Sequence, residues 1–364
     1  MRFVNAWCKN EPFQKTPSGG DRSSLKALFD GFIAEYQSRP VVQSADLHFA
    51  KIIARRINEL FPSETVETFG PKALEAVRES FMVQGYVRGG VHHLYTRSYL
   101  NKIAKKIREV FKWGCYQEIV PVEVYERLKT VPPLRAGRAF ARESQGRRFL
   151  TDGEIEAVIA CLQPIYGDII RVLLLTGMRP SELCKMRIGD IDRSNEKVWI
   201  YRPSSHKTEY RGKKRHIPLG EQSQKILLPY LEGRKLDEFV FSPLAIMEEY
   251  WKIRARERKT KVQPSQLKRS KKANLRKRKR FLSSLDPHLI GAAVRKACSK
   301  AIKQGNLAES WTPYELRHTA ITKIRIREGA EAAQHFAGHS NLRTQDFYDH
   351  LALLKAIEVA EKYG

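Results

Sequence analysis

Three short segments in the second half of the chain carry side chains that could bind or act on an anion. The first presents Arg179 in Thr-Gly-Met-Arg-Pro, and the second places Tyr314 and Arg317 three residues apart. The third contains a Gly-His pair at His339, with Tyr348 nine residues later. An arginine offers two parallel N–H donors to a phosphate, and a tyrosine hydroxyl becomes a nucleophile only when a neighbour assists it.

Arg179 is predicted to lie in a tight corner between two helices. Gly177 can adopt the positive φ that ends one helix, and Pro180 suits the first turn of the next. A guanidinium beside a helix N-terminus makes such a corner a good anion site. An ordinary helix joint, in which Arg179 pairs with Glu182, explains this segment alone equally well.

The other two segments are weaker evidence when each is taken alone. Tyr314 and Arg317 share one face of a predicted helix, but a surface tyrosine beside a surface arginine is the commoner explanation. A histidine after glycine, such as His339, often caps a helix, and a tyrosine such as Tyr348 often packs in a core. The combination and order of the three segments is therefore more informative than any one of them.

The charge of the chain points to a polyanionic partner. Among 364 residues, 66 Lys and Arg exceed 40 Asp and Glu, which gives a formal charge of +26. A hydrophobic content of 42% is enough for real cores and excludes disorder of the whole chain. No apolar run reaches membrane-spanning length and no signal pattern opens the chain, so we expect neither a membrane protein nor export. The five widely spaced cysteines indicate reduced thiols in a reducing compartment.

Hydrophobic residues at helical spacing predict an all-α unit over residues 23–132, after a tail at 1–22. Four helices are expected, beginning near Leu25, Ala45, Pro71 and Thr96. The fourth carries a basic stripe that includes Arg97, Lys102, Lys105 and Lys106. A DNA-binding surface and a merely solvated helix face explain this stripe about equally well.

A basic linker at 133–149 leads to a second unit at 150–364, which is predicted to be α+β and mostly helical. Two short strands, 197–201 and 215–219, are expected to form a hairpin with a long turn. Lys207 lies in that turn.

The second unit contains a basic insertion at 250–285. Between Lys252 and Arg280 the sequence has fifteen Lys and Arg and one acidic residue. The densest run is Arg276, Lys277, Arg278, Lys279 and Arg280. Self-repulsion predicts an extended or partly ordered arm, which we interpret as phosphate-binding; a solubilising or targeting tract is the alternative.

Taken together, Arg179, Lys207, Arg317, His339 and Tyr348 resemble the ordered active-site set of the tyrosine recombinase (integrase) family. Thr-Gly-x-Arg-x-x-Glu-Leu, Leu-Arg-His-Thr and Gly-His-Ser all occur at the family spacing. The resemblance spans about residues 23–364 and implies a helical core-binding (SAM-like) domain followed by the family's catalytic domain. One departure is Tyr314, which occupies the position where the family usually has histidine.

The resemblance implies a role for each matched residue. Tyr348 would attack a DNA phosphodiester and form a 3′-phosphotyrosyl bond, while Arg179 and Arg317 bind the phosphate oxygens. His339 would donate a further hydrogen bond, and Lys207 would protonate the leaving 5′ oxygen.

Tyr314 is also placed among the catalytic residues, where it would donate a hydrogen bond to a phosphate oxygen or relay a proton from Tyr348. Two residues would act from behind these groups. Glu182 would orient Arg179 or its neighbours, and His318 would brace Arg317, although a plain structural role is the commoner explanation for His318. Neither a metal nor another cofactor is expected.

Double-stranded DNA is the expected partner. The family resemblance also implies a homotetramer on DNA, assembled through an apolar C-terminal helix at 351–363, and a cytoplasmic, nucleoid-associated location. Three alternatives stay open at this point: a type IB-like topoisomerase, a catalytically silent DNA-binding protein of the same fold, and a generic basic RNA-binding protein. The last leaves the ordered active-site set unexplained.

Overall fold

The computed structural model of the chain describes residues 24–39, 44–137, 140–144, 146–204, 215–258, 260 and 284–338. Two compact units, Met1–Gln145 and Gly146–Gly364, divide within the predicted linker. The described parts of both units are mostly helical with short antiparallel strands, which the sequence predicts for the second unit but not for the first. The predicted sites at Lys207, 276–280, His339 and Tyr348, and the C-terminal helix at 351–363, lie outside the described residues.

The described part of the first unit contains five helices. They are α1 (Leu25–Gln37), α2 (Ser44–Leu60), α3 (Pro71–Gln84), α4 (Arg97–Tyr116) and α5 (Val122–Lys129). The first four match the predicted helices because apolar side chains at helical spacing, such as Leu28 and Ile53, are fully buried. The sequence pattern does not predict α5, a short helix in which only Val124 and Leu128 are buried.

A hairpin between α3 and α4 adds two strands to this helical unit. Strand β1 (Tyr86–Arg88) pairs antiparallel with β2 (Val91–His93). Gly89 and Gly90 form the turn, with φ of 60° and 77°. A two-residue hairpin turn with two positive φ values favours glycine at both positions. Strands of three residues are too short for alternating hydrophobicity to reveal them.

The predicted basic stripe on α4 has one buried member. Lys102 and Lys105 are exposed. Lys106 is only 5% exposed, and its Nζ lies 2.9 Å from a carboxylate oxygen of Asp46 and 2.9 Å from one of Glu109. Two carboxylates of its own unit therefore neutralise the ammonium group of Lys106, and its predicted contact with DNA stays a prediction that this structure does not favour.

The described second unit contains seven α-helices around a three-stranded sheet. The helices are α6 (Asp152–Ile159), α7 (Pro164–Thr176), α8 (Pro180–Cys184), α9 (Glu221–Leu231), α10 (Pro243–Arg256), α11 (Pro287–Lys303) and α12 (Pro313–Ala337). The antiparallel strands are β3 (Ile191–Asp192), β4 (Trp199–Tyr201) and β5 (Ile217–Leu219), in that spatial order.

Two helices at the start of this unit are separated by a turn. The chain turns after α6, and Pro164 begins the first turn of α7. Thr151 caps α6, and Glu154 completes a capping box with it. The described start of the basic insertion is helical, since α10 continues to Arg256.

The two strands of the predicted hairpin are paired. Strands β4 and β5 run antiparallel, with Tyr201 opposite Ile217, and they flank the sequence that contains Lys207. A third strand, β3, was not expected from the sequence and pairs with the other edge of β4.

Two glycine-terminated helices, α7 and α12, pack against each other in the core of the second unit. Gly177 follows α7 with φ of 58°, and Gly338 follows α12 with φ of 64°. Both values lie in the left-handed region that glycine adopts without strain. Both helices therefore end sharply. In the sequence, Gly177 lies two residues before Arg179, and Gly338 directly precedes His339.

Within the described ranges, no helix is long and apolar enough to cross a membrane. The cysteines of these ranges are free thiols: Cys184 and Cys298 are buried, and Cys115 and Cys161 are half-buried.

Replacing Gly177 by alanine should destabilise the protein for two reasons. The added Cβ would lie 2.5 Å from Cε1 of Phe336, and the backbone has positive φ. The left-handed backbone costs a residue other than glycine about 1–2 kcal/mol, and overpacking adds roughly 1–3 kcal/mol. Gly305→Ala is the matched control, because Gly305 has φ of 76° but no atom within 4 Å of its added Cβ. Urea denaturation measures both losses, and equal losses would show that contact with Phe336 is unimportant.

Candidate active site

Glu182 holds Arg179 at two points. Arg179 precedes the first turn of α8, and its backbone N–H donates to Glu182 Oε2 at 2.8 Å. Its side-chain Nη1 donates to Glu182 Oε1 at 2.6 Å. The ion pair anticipated as the ordinary explanation of this segment is therefore present, and it fixes the guanidinium at the helix N-terminus. The Arg179 side chain keeps 20% of its surface exposed, so a ligand can reach it.

Arg317 lies behind this corner and is almost fully buried, with 2% of its surface exposed. Its Nη1 donates to the carbonyl oxygen of Gly177 at 2.5 Å, and its Nη2 donates to that of Ala337 at 2.7 Å. These carbonyls belong to the C-terminal ends of α7 and α12, where unpaired carbonyls carry partial negative charge. Burial, and then repulsion from Arg179, lowers the pKa of Arg317 to about 10, although Glu182 opposes this shift.

A third arginine, Arg215, belongs to the same cluster and is absent from the residues predicted for the site. It is 8% exposed, and its Nε lies 3.9 Å from Glu182 Oε1. Burial lowers the pKa of Arg215, Glu182 opposes the shift, and Arg179 adds to it. The sequence does contain a signal for this position: Arg215 lies two residues before β5 and alternates with Ile217 and Leu219, and all three side chains are buried.

Glu182 is the carboxylate that these three guanidinium groups share, and it is 3% exposed. Burial alone would raise its pKa, but a backbone hydrogen bond from Arg179 and the charges of the three arginines outweigh burial and hold the pKa below its usual value. Tyr201 donates its hydroxyl to the backbone carbonyl of Glu182 at 2.8 Å, which ties α8 to strand β4. Three guanidinium groups against one carboxylate leave two positive charges in excess.

Tyr314 lies on α12 one turn before Arg317 and is 38% exposed. The guanidinium carbon of Arg147 lies 4.0 Å from the centre of its ring, in cation–π geometry. A negative charge on Tyr314 would raise the pKa of Arg317, so the two groups lie within electrostatic reach. This placement suits the predicted role beside the arginines, and that role stays a prediction.

Other predicted site residues are placed less fully. His318 is half-buried on α12 next to Arg317, and its predicted support of that arginine stays a prediction. Lys207, His339 and Tyr348 are outside the described residues, although β4 and β5 flank the first and Gly338 directly precedes the second. Over the ranges that are described, no group of three or more His, Cys, Asp or Glu could hold a metal ion.

Replacing Glu182 by glutamine should be strongly destabilising, because it leaves two buried guanidinium groups and the partly buried one of Arg179 without their carboxylate. Loss of one partner from a buried ion pair typically costs about 3–5 kcal/mol. Glu156→Gln is the control, since Glu156 pairs with Arg171 at 3.4 Å on the surface, where such pairs contribute at most about 1 kcal/mol. Urea unfolding at pH 7 measures both changes, and comparable losses would contradict the buried role of Glu182.

The pH dependence gives an independent check on the same variant. Because the folded-state pKa of Glu182 is lowered, its contribution to stability is present above the unfolded value of 4.5 and is lost as pH falls towards the folded value. The wild type should therefore lose more stability than Glu182→Gln on acidification below that value.

Comparisons with known proteins match this chain to one family. The model of the phage integrase family matches residues 148–354, more than half of the chain. The tyrosine recombinase XerC of Bacillus pumilus is 23% identical over 274 residues, which cover 75% of this chain and 75% of the relative. XerC of Thermodesulfovibrio yellowstonii is 25% identical over 197 residues, which cover 53% of this chain and about half, 52%, of the relative.

Solved structures of the same kind share the fold. The Tn1549 transposon integrase in complex with circular intermediate DNA aligns with a TM-score of 0.62 and 16% identity, over 90% of this chain and 95% of that one. The lambda integrase dimer bound to a COC' core site aligns with a TM-score of 0.56 and 14% identity, over 88% and 96% of the two chains. At these identities the likeness shows the mostly helical fold alone.

Proposed function

Because the chain belongs to the phage integrase family of tyrosine recombinases, we propose that it is a site-specific DNA recombinase. It cuts and rejoins DNA through a 3′-phosphotyrosyl intermediate. The observation that carries the proposal is the buried cluster in which Arg179 and Arg317 lie around Glu182 with positive charge in excess. Fixed positive groups of this kind stabilise an anion that gains negative charge as it reacts.

The reaction is an exchange of one phosphodiester for another. The hydroxyl oxygen of Tyr348 attacks the phosphorus and loses its proton, and the bond between phosphorus and the 5′ oxygen breaks. Lys207 protonates the departing 5′ oxygen. Reversal of the same steps by a 5′-hydroxyl of another strand rejoins the DNA. Since the bond energy is retained in the protein–DNA ester, the exchange needs neither ATP nor a metal ion.

The arginines supply the electrostatic part of the mechanism. Two negative charges develop on the non-bridging oxygens in the transition state, and Arg179 presents its partly exposed guanidinium to them. Arg317 adds charge from behind while it holds the ends of α7 and α12 in place. His339, which follows Gly338 at the end of α12, donates a further hydrogen bond in this proposal.

Duplex DNA is the substrate and partner in this proposal. The exposed Lys102 and Lys105 on α4 support a phosphate-facing surface, and the run 276–280 adds sequence-independent affinity. Arg97 contributes less, because its Nε is paired with Glu143 Oε1 at 2.7 Å. A homotetramer assembled through the helix at 351–363, and a location on the nucleoid in the cytoplasm, complete the proposal.

Replacing Tyr348 by phenylalanine should abolish covalent attachment to DNA while leaving binding intact, because only the nucleophilic oxygen is removed. Inverted repeats from the DNA that flanks the coding sequence provide candidate duplexes, and a nick beside the cleavage position traps the adduct. Denaturing gels measure the adduct and mobility shifts measure binding. An adduct that persists in Tyr348→Phe would overturn the assignment.

Two controls belong to this experiment. EDTA should leave the wild-type adduct unchanged, and strong inhibition would instead indicate a metal-dependent nuclease. A wild type that binds these duplexes but never forms an adduct would favour the catalytically silent DNA-binding protein, the alternative that Tyr314 in the usual histidine position suggests.

Removing the Tyr314 hydroxyl should matter less than altering an arginine. Tyr314→Phe keeps the ring beneath Arg147 and removes one hydrogen bond, so we expect cleavage to slow by about 5–10-fold. Arg317→Lys loses the two-pronged donor and should slow cleavage by about 100-fold or more. Tyr314→His should retain or raise activity. Single-turnover cleavage on the nicked substrate measures each rate, and a Tyr314→Phe protein as inactive as Arg317→Lys would make Tyr314 an essential acid–base group.

A further inference from the structure

Arg215 is a buried cation with unused hydrogen-bonding capacity. Only 8% of its surface is exposed, yet its Nε and Nη2 are buried and have no hydrogen-bond partner in the described part of the chain. The nearest carboxylate oxygen, Glu182 Oε1, lies 3.9 Å from Nε, which is too far for a hydrogen bond. Buried N–H groups are nearly always satisfied, and an unsatisfied charged group is especially costly.

Arg234 in the same unit shows how this chain satisfies an arginine that serves the fold. Its Nε donates to Glu238 at 2.9 Å, and its two terminal nitrogens donate to backbone carbonyls at distances from 2.8 to 3.1 Å. Arg234 therefore closes a loop by using donors of all three nitrogens. The unused donors of the more deeply buried Arg215 serve no comparable purpose within the described structure.

The surroundings of Arg215 determine which ligand could use those donors. Arg215 shares Glu182 with Arg179 and Arg317, and the four groups carry two positive charges in excess. An anion of one or two negative charges, with several acceptor oxygens, would satisfy both the charge and the free N–H groups. A phosphodiester carries one such charge, and its pentavalent transition state carries two.

The contact with Gly338 places Arg215 at the C-terminal end of α12. A Cβ added to Gly338 would lie 2.1 Å from Arg215 Nη1, so the guanidinium is packed directly against the turn that ends α12. Arg215 therefore lies between Glu182 and Gly338, the residue that directly precedes His339 in the sequence.

We propose that Arg215 is a third phosphate-binding arginine of this site, whose Nε and Nη2 donate to a non-bridging oxygen of the reacting phosphodiester. The inference rests on the proposed function for the identity of the DNA substrate, but not for the binding of phosphate itself. It makes Arg215 a catalytic residue, because the group touches the substrate. A purely structural arginine would instead act by holding Glu182 or Gly338 in position.

Stability separates these two roles. Arg215→Met removes an unsatisfied buried charge and keeps most of the side-chain volume, so the free protein should have an unchanged or higher Tm. Inorganic phosphate, added at constant ionic strength, should raise the Tm of the wild type by binding the folded state, and this rise should be largely lost in Arg215→Met. Arg234→Met is the matched control: it should lower the Tm but keep the response to phosphate.

Three outcomes of the stability experiment would overturn the proposal. The first is a fall in Tm for Arg215→Met as large as that for Arg234→Met, because Arg215 would then support the fold. The second is a full response to phosphate in Arg215→Met. The third is a wild type that phosphate does not stabilise. Arg215→Lys, which keeps the charge but not the planar donors, should fold and respond to phosphate more weakly than the wild type.

Cleavage of two matched DNA substrates tests the same contact during reaction. On a normal phosphodiester, Arg215→Met should form the covalent adduct about 100-fold more slowly than the wild type. On a methylphosphonate, in which a methyl group replaces one charged oxygen, the difference should shrink to about five-fold or less, because less negative charge needs stabilising. A difference of equal size on both substrates would overturn the proposal.

The two parts of the experiment also keep the inference separate from the proposed function. A wild type that forms no adduct, but whose stabilisation by phosphate depends on Arg215, would refute the recombinase activity and support the phosphate site. A wild type that forms the adduct at a rate independent of Arg215 would support the activity and refute the site.

Discussion

The buried carboxylate of Glu182 is the interaction on which the candidate site depends. It is the charge that allows Arg179, Arg215 and Arg317 to lie close together in a protein interior, where like charges repel strongly. One carboxylate is nevertheless too little to neutralise three guanidinium groups. The cluster therefore retains an excess of positive charge, which disfavours the folded state of the free protein.

Helix ends give this cluster its geometry. Arg317 donates to the last carbonyls of two helices, through Gly177 and Ala337, so it joins α7 and α12 while its charge faces Glu182. The glycines at 177 and 338 stop these helices abruptly, because each adopts a positive φ. A side chain at either position would also collide with a neighbour, Phe336 in one case and Arg215 in the other. The sharp helix ends therefore leave the space in which the arginines approach each other closely.

The segment 147–150, near the start of the second unit, contacts α12 on both sides of Arg317. Arg147 lies over the ring of Tyr314, and the backbone N–H of Leu150 donates to the Thr319 hydroxyl at 3.0 Å. Arg148, between them, donates to the backbone carbonyl of Glu309 at 3.0 Å. The stacking of Arg147 on Tyr314 gives the tyrosine ring a defined partner beside Arg317.

The sequence by itself determined the helical character of both units, the hairpin around Lys207 and the family of the chain, because these depend on local spacing and on residue types that occur in order. It also pointed to Arg179 and Arg317, since glycine and proline mark the corner around the first and the second shares a short motif with Tyr314. Only the tertiary structure decided which basic side chains are free. Lys106 looked like part of an exposed stripe until Asp46, sixty residues away, was found to pair with it. Arg215 looked like an ordinary strand residue until packing placed it beside Glu182. Spacing along the chain sets which face a side chain occupies, but the charge it meets there is set by residues that are distant in sequence, and that pairing decides whether a cation is neutralised or left to bind a ligand.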